Sequence, residues 1–302
     1  MTNALKPAKP KQTSAPDSRD WLDASLYPFV SRPFAIDGHT MRYVDEGSGR
    51  PILFVHGTPS WSFEWRHAIR TLSREHRCVA PDHLGFGLSD KPADAAYRPA
   101  DHARRLQALV DALELRDLVL VVHDFGGPIG LPIALAQRQR VRSLVLVNTW
   151  MWSHGHESAV RRVSRLVGSP LGCFLYRWLN GSPRWLIPAS FADRKKLTRS
   201  VHAHYMRPFA TRHQRMAPWV LGVELAQSDP YYESLWTKRA ALEHLPTSIV
   251  WGIRDVAFGQ TYLETWQALF PRARVVKLDA GHFPQEEQPD AVTEAVRRMA
   301  ET

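Results

Sequence analysis

A doubly wound α/β fold with a mostly parallel sheet and an inserted helical cap is the architecture this sequence predicts. Three observations carry that reading. Short, fully apolar runs such as 51–55 and 118–122 recur along the chain, the composition of strands buried on both faces. Between them lie segments with apolar residues at helical spacing, for example Ala103, Leu106, Leu109, Val110 and Leu113. The alternation breaks over 152–233, in a helical and irregular stretch rich in Trp, Arg and Pro, and resumes at Thr247.

The elements follow in order. Residues 1–20 place Lys6, Lys9 and Lys11 among Pro, Ser and Thr without an apolar run, so residues 1–25 are expected to form a flexible tail, not a secretory signal. Residues 34–38 and 41–44 predict a hairpin around Asp37-Gly38. Residues 51–55 and 76–81 predict two strands, and 102–115 a helix. Residues 118–122 predict a strand and 128–137 the helix behind it, with Pro128 in the first turn, where a missing N–H costs little. Residues 144–147, 247–251 and 273–278 supply further strands, and 289–300 a closing amphipathic helix. The core is thus expected at 26–151 and 234–302, with the cap at 152–233. In such sheets the active site lies at the carboxyl ends of the strands, and a cap would roof that edge against water.

Composition narrows the function classes. The hydrophobic fraction of 44% and charged fraction of 23% are ordinary globular values. Two cysteines, Cys78 and Cys173, offer neither a disulfide framework nor a thiolate metal site, which suits a reducing, cytoplasmic location. The net charge of +9 invites a nucleic-acid reading. The basic residues are scattered, however, in groups such as Arg138/Arg140/Arg142, Arg161/Arg162/Arg165 and Arg194/Lys195/Lys196, without an aromatic-interleaved stripe. Such groups read as solvated faces. No run approaches the roughly 20 apolar residues of a membrane span. Neither a nucleic-acid nor a membrane partner is expected.

Residues 118–127 read Leu-Val-Leu-Val-Val-His-Asp-Phe-Gly-Gly. This is the layout of a nucleophile elbow, a tight strand-to-helix turn that usually exposes a Ser. Here the central residue is Asp124. A carboxylate at that point attacks carbon directly and forms an alkyl ester, which water must then break. Three more residues fall just past strand ends: His56, Asp255 and His282. The chain order nucleophile, acid, histidine is that of the α/β-hydrolase fold. In that arrangement His282 deprotonates a water, and Asp255 holds its ring and stabilises the imidazolium. His123, beside the nucleophile, reads as a support of the elbow.

The chain resembles the α/β-hydrolases and, within them, the haloalkane dehalogenases. The likeness rests on His-Gly-Thr-Pro-Ser-Trp-Ser-Phe-Glu-Trp-Arg at 56–66 and Pro-Asp-His-Leu-Gly-Phe-Gly-Leu-Ser-Asp-Lys-Pro at 81–92. It continues through His-Asp-Phe-Gly-Gly-Pro at 123–128, Trp-Gly-Ile-Arg-Asp at 251–255 and Gly-His-Phe at 281–283, so it covers nearly everything after the tail. The resemblance implies that Asp124 displaces halide from carbon and that His282-activated water hydrolyses the ester. Backbone N–H groups of Thr58 and Phe125 would receive the oxyanion formed on Asp124. The implied partners are a small apolar substrate, water and halide, with no metal or organic cofactor, in a monomer or homo-oligomer. Some family branches carry the acid after the strand that follows the nucleophile helix. That place holds Asn148, so the role falls to Asp255.

Two departures stand out. The family normally has Trp directly after the nucleophile, donating to the leaving halide, and this chain has Phe125. The second donor is often Asn where this chain has Thr58. Losing an oriented donor on developing charge costs about 2.7–4 kcal/mol in oxyanion sites, and a diffuse halide belongs at the low end. A Trp from elsewhere could substitute. Trp61, Trp150 and Trp152 lie near strand ends and, with His56, are the expected pocket residues; Trp178, Trp185 and Trp219 lie in the cap. Two other readings stay open. One is an epoxide hydrolase with the same triad and a cap tyrosine (Tyr176, Tyr205, Tyr231 or Tyr232). The other is a weakly active or non-catalytic binding relative.

Overall fold

The structure, a computed structural model, describes residues 20–154 and 157–302. Of the expected tail, residues 1–19 lie outside the described residues. Residues 20–25 are seated on the body of the protein. Trp21 meets Trp61 edge-on at 6.1 Å, and the Asp23 N–H donates to His204 Nε2 at 3.0 Å.

Eight strands form one sheet: β1 (Ser31–Ile36), β2 (His39–Glu46), β3 (Pro51–Val55), β4 (Arg77–Asp82), β5 (Leu118–Asp124), β6 (Val141–Thr149), β7 (Thr247–Gly252) and β8 (Arg274–Leu278). Their spatial order is β1-β2-β4-β3-β5-β6-β7-β8. The β1–β2 and β2–β4 pairs are antiparallel and all the others parallel. Ile36 pairs with His39 across a two-residue turn, with Asp37 at φ 53° and Gly38 at φ 77°. Both turn positions need a left-handed backbone, which is why Asp-Gly marks this hairpin so clearly.

From β3 the chain first winds outward to β4, then returns to add β5 on the opposite side. The carboxyl ends of β3 and β5 therefore flank the switch point, where sheets of this kind open a crevice. Thr58 follows the first of these strands and Asp124 ends the second. The helices α1 (Arg66–Leu72), α2 (Pro99–Ala112) and α3 (Gly126–Ala136) lie between the early strands. Between β6 and β7 come α4 (Ser158–Gly168), α5 (Pro170–Arg177), α6 (Ile187–Ser190), α7 (Arg199–Met206), α8 (Met216–Gln227) and α9 (Asp229–Trp236). These occupy the interval read as a cap. The chain ends with α10 (Gln260–Leu269), α11 (Pro284–Glu287) and α12 (Pro289–Glu301).

Both faces of the sheet are covered, which explains the continuous apolar runs. Leu118, Leu120 and Val122 point into a core shared with Leu106, Ile129 and Trp266. Their neighbours Val119 and Val121 point the other way, into a core shared with Ile69, Leu72 and Val296. No described helix is long and apolar enough to cross a membrane.

Candidate active site

Asp124 has φ 51°, in the left-handed region. A side chain there costs roughly 1–3 kcal/mol of backbone strain, so the surroundings must hold it. The Thr149 hydroxyl donates to the Asp124 carbonyl at 2.6 Å. The ends of β3 and β5 also approach closely enough to exclude β-carbons. One added to Gly126 would lie 2.2 Å from the Val55 carbonyl oxygen, and one added to Gly57 would lie 2.1 Å from Asp124 Oδ1. These glycines are what let the elbow meet the loop after β3.

The Asp124 carboxylate has two different faces. Oδ1 accepts the Thr58 N–H at 2.7 Å, while Oδ2 lies 3.5 Å from His282 Nε2. On the far side of the ring, His282 Nδ1 is 2.7 Å from Asp255 Oδ2. Asp255 Oδ2 also accepts the Asn148 amide at 2.8 Å, and its Oδ1 accepts the Ala257 N–H at 2.7 Å. Asn148 Oδ1 in turn accepts the Gly252 N–H at 2.8 Å. Burial works against a charged His282, but the Asp255 charge and hydrogen bonds to Asp124 and Asp255 outweigh it and raise its pKa to about 10. Burial likewise works against a charged Asp255, and the His282 charge and hydrogen bond override it to lower its pKa.

A second buried pair lies beneath the first. His123 Nε2 is 2.8 Å from the His282 carbonyl, which can only accept, so Nε2 carries hydrogen. His123 Nδ1 lies 3.2 and 3.3 Å from the two oxygens of fully buried Glu64. The carboxylate and the ring nitrogen are thus within hydrogen-bond reach in a fully buried place. Gln285 Nε2 closes the group, 3.1 Å from His123 Nδ1. The residue before the candidate nucleophile thereby anchors the backbone of the candidate base. No motif or spacing in the sequence marks Glu64 for this position.

A cavity of about 460 Å³ lies in front of Asp124. Asp124, Thr58, Phe125 and His282 line it, with His154, Tyr176 and Tyr262 as further polar groups. Its walls are otherwise largely apolar, with Val160, Val167, Leu225 and Phe258 among them. A larger cleft of about 1100 Å³, between Trp236 and Arg272, includes none of the triad residues and is not where this chemistry sits.

None of the four expected pocket residues His56, Trp61, Trp150 and Trp152 lines this cavity. His56 lies beneath the loop: its Nδ1 is 2.7 Å from the Gly57 carbonyl and its Nε2 accepts the His83 N–H at 3.0 Å. Burial, helped by the nearby His83, holds it neutral, with a pKa well below the usual imidazole value. Trp61 is core, stacked on Phe63 at 5.4 Å, and its indole N–H donates to the His204 carbonyl at 3.0 Å. Trp150 sits behind Phe125, edge-on at 4.7 Å. Trp152 packs on Trp236 and Trp266. A strand end fixes where a residue starts, not which way its side chain points, and these four turn inward.

Among the cap tyrosines, Tyr176 lines the cavity. The hydroxyls of Tyr205, Tyr231 and Tyr232 donate to Glu286 at 2.5 Å, the Pro128 carbonyl at 2.8 Å and the Glu224 carbonyl at 3.0 Å. Tyr262, on a helix the periodicity did not single out, also reaches the cavity, and its hydroxyl lies 3.0 Å from His154 Nδ1.

Two outcomes follow from this geometry. The His282 imidazole titrates near 6.5 when free and near 10 when folded. Its contribution to stability is therefore complete below the free value and lost as pH rises through the folded one. Thermal unfolding between pH 7 and 10 is expected to show a decline in melting temperature that flattens in His282→Phe; equal slopes would contradict the raised pKa. Glu64→Ala, which strands the buried His123 Nδ1, is expected to cost about 1–3 kcal/mol in urea unfolding. Glu64→Gln keeps a polar partner there and should fall closer to wild type, whereas equal losses would show that the Glu64–His123 contact is not what the site needs.

Residues 50–289 match the alpha/beta hydrolase fold family. The chain is 37% identical over 277 residues to haloalkane dehalogenase 2 of Mycobacterium tuberculosis, covering 91% of this chain and 96% of that protein. It is 32% identical over 295 residues to the cis-3-alkyl-4-alkyloxetan-2-one decarboxylase of Shewanella oneidensis, covering 92% of this chain and 91% of that one. Among solved structures, haloalkane dehalogenase DbeA from Bradyrhizobium elkani superposes with a TM-score of 0.82 at 27% identity, covering 90% of this chain and 98% of its own. Haloalkane dehalogenase DatA from Agrobacterium tumefaciens gives a TM-score of 0.81 at 25% identity, covering 92% of this chain and 100% of its own. The chain belongs to the α/β-hydrolase fold family and, within it, is related to the haloalkane dehalogenases.

Proposed function

We propose that the protein is a hydrolase that cleaves a carbon–halogen bond of a small halogenated aliphatic compound through an alkyl ester on Asp124. One observation carries this reading. A carboxylate held by a backbone N–H on one oxygen and approached by an imidazole on the other faces a largely apolar cavity. Asp124 Oδ2 attacks the carbon, the carbon–halogen bond breaks, and halide leaves with the electron pair. Ester formation removes the Asp124 charge that helps hold the proton on His282, so the imidazolium gives that proton to solvent and the neutral imidazole becomes available as a base. His282 Nε2 then takes a proton from water, which attacks the carboxyl carbon. The oxyanion forms on Oδ1, already opposite the Thr58 N–H. Collapse returns the carboxylate and releases an alcohol. The net reaction consumes one water and yields alcohol, halide and a proton.

Thr58 Oγ1 supports the choice of leaving group. It is buried at the cavity and has no hydrogen-bond partner among the described residues. It is a donor in search of an acceptor, where the relatives' usual Trp is replaced by Phe125. The same reading takes a small apolar substrate and water and needs no metal or organic cofactor.

Tyr176 favours a second reading, the opening of a strained oxygen ring. Tyr176 lines the cavity, and burial, opposed by a hydrogen bond with Ser182 and reinforced by the Asp124 charge, pushes its pKa up to about 12. It stays a neutral donor for a ring oxygen. The relatives named as oxetan-2-one decarboxylases act, by that name, on such a ring.

The test is to incubate the protein with 1-bromobutane and 1,2-dibromoethane and titrate halide. Parallel assays follow diol from styrene oxide and carbon dioxide from a cis-3,4-dialkyl oxetan-2-one. Halide release, with an alkyl adduct on Asp124 trapped in His282→Phe by mass spectrometry, is the expected result. No release above a buffer blank sinks the dehalogenase reading; ring opening lost in Tyr176→Phe would install the second, and neither turnover nor adduct would leave a binding protein. Thr58→Val is expected to lower kcat for bromides by about a hundredfold with little change in KM. An unchanged kcat would take the hydroxyl out of halide release.

A further inference from the structure

The outer face of the cap carries an unusual surface. Val163, Leu166, Leu171, Phe174, Trp178, Trp185 and Leu186 are each 46–58% exposed. In the rest of the described chain only Val30, Ile253 and Val256 are large apolar side chains in that state. Leu171, Phe174 and Trp178 are spaced i, i+3, i+7 along α5 and the residue that caps it, so they form one stripe. Phe174 and Trp178 stack at 6.3 Å. Exposed apolar surface on this scale marks a contact.

The charge around it says which kind. Residues 152–233 carry twelve Arg and Lys against five Asp and Glu, most of the net +9 of the whole chain. Arg161, Arg162, Arg165 and Arg184 are exposed and interleaved in sequence with the patch residues, and Arg194 and Lys195 are exposed further along the cap. The Arg212 guanidinium sits 4.5 Å over the Trp178 ring. A second copy docked through this face would bring two basic rims together and repel. An anionic bilayer is complementary in both respects, with an apolar interior for the rings and negative headgroups for the rim. Val163 and Leu186 belong both to the patch and to the cavity wall, so the cavity opens on this face.

We propose that the outer face of the cap docks on an anionic lipid bilayer. Leu171, Phe174 and Trp178 lie in the headgroup layer, the basic rim lies on the lipid phosphates, and the cavity mouth faces the membrane. A lipophilic substrate then enters from the bilayer without crossing water. The expectation of no membrane partner rested on the lack of a spanning run, a criterion that peripheral docking does not have to meet.

The test is flotation of the full-length protein with vesicles of phosphatidylcholine alone and of phosphatidylcholine mixed equally with phosphatidylglycerol. Binding to the mixed vesicles, falling steeply with added salt, is expected. The variant Phe174→Ser/Trp178→Ser, which touches neither cavity nor triad, is expected to lower vesicle partition by roughly tenfold or more while unfolding at the wild-type temperature. The variant Arg161→Glu/Arg162→Glu should lose the preference for anionic vesicles. Absence of flotation with either vesicle overturns the proposal. So does binding that is unchanged in the Phe174/Trp178 variant, which would assign the contact to charge alone. Self-association in light scattering that the same variant abolishes would reassign the face to a second copy of the chain.

Discussion

Asp124 occupies a backbone conformation that a β-carbon resists, at φ 51°, and much of the surrounding structure serves to keep it there. The strand behind it is buried on both faces and cannot slide. The helix in front begins two residues later, because Gly126 lets the chain pass the Val55 carbonyl. Gly57 lets the loop after β3 come close enough for the Thr58 N–H to reach Oδ1. Relaxing this one residue would turn its carboxylate away from both the N–H and the imidazole. The strain is therefore part of how the carboxylate is aimed, and the sheet on either side pays for it.

Charge is the second constraint. His282 stands between two carboxylates in a buried site, and it holds its proton more tightly than a free imidazole. Asn148 shows how such a site tolerates variation in the acid's position. It follows the strand that in some relatives carries the acid, and here its amide donates to the Asp255 that supplies the charge from the next strand over. His123 and Glu64 add a buried pair beneath, tying the main chain of His282 to the elbow. On the proposed reaction, loss of the Asp124 charge is itself the signal that turns His282 into a base.

The leaving-group side of the proposed reaction departs from the pattern that the family likeness implies. Phe125 contributes a ring edge and no donor, and Trp150 lies behind that ring, outside the cavity. The polar residues that line the cavity besides the triad include Thr58, Tyr176, Tyr262 and His154. The mechanism of the nucleophile and the identity of the leaving group are thus separate questions in this protein, answered by different residues.

The sequence by itself determined the order of strands and helices, the Asp-Gly hairpin and the elbow. Each of these is written in local chemistry: apolar runs, a left-handed pair, glycines beside an acid. Family likeness added the pairing of Asp124 with residues more than a hundred positions away. Helix α10 escaped the periodicity, and with it Tyr262. The tertiary structure alone decided where side chains point. His56, Trp61, Trp150 and Trp152 all follow strands that end at the site, yet each turns into the core. Tyr205, Tyr231 and Tyr232 share the cap with Tyr176, yet their hydroxyls find partners elsewhere. A cavity wall is set by how helices rotate against one another, and that rotation depends on packing across the whole cap, which no local run of residues encodes.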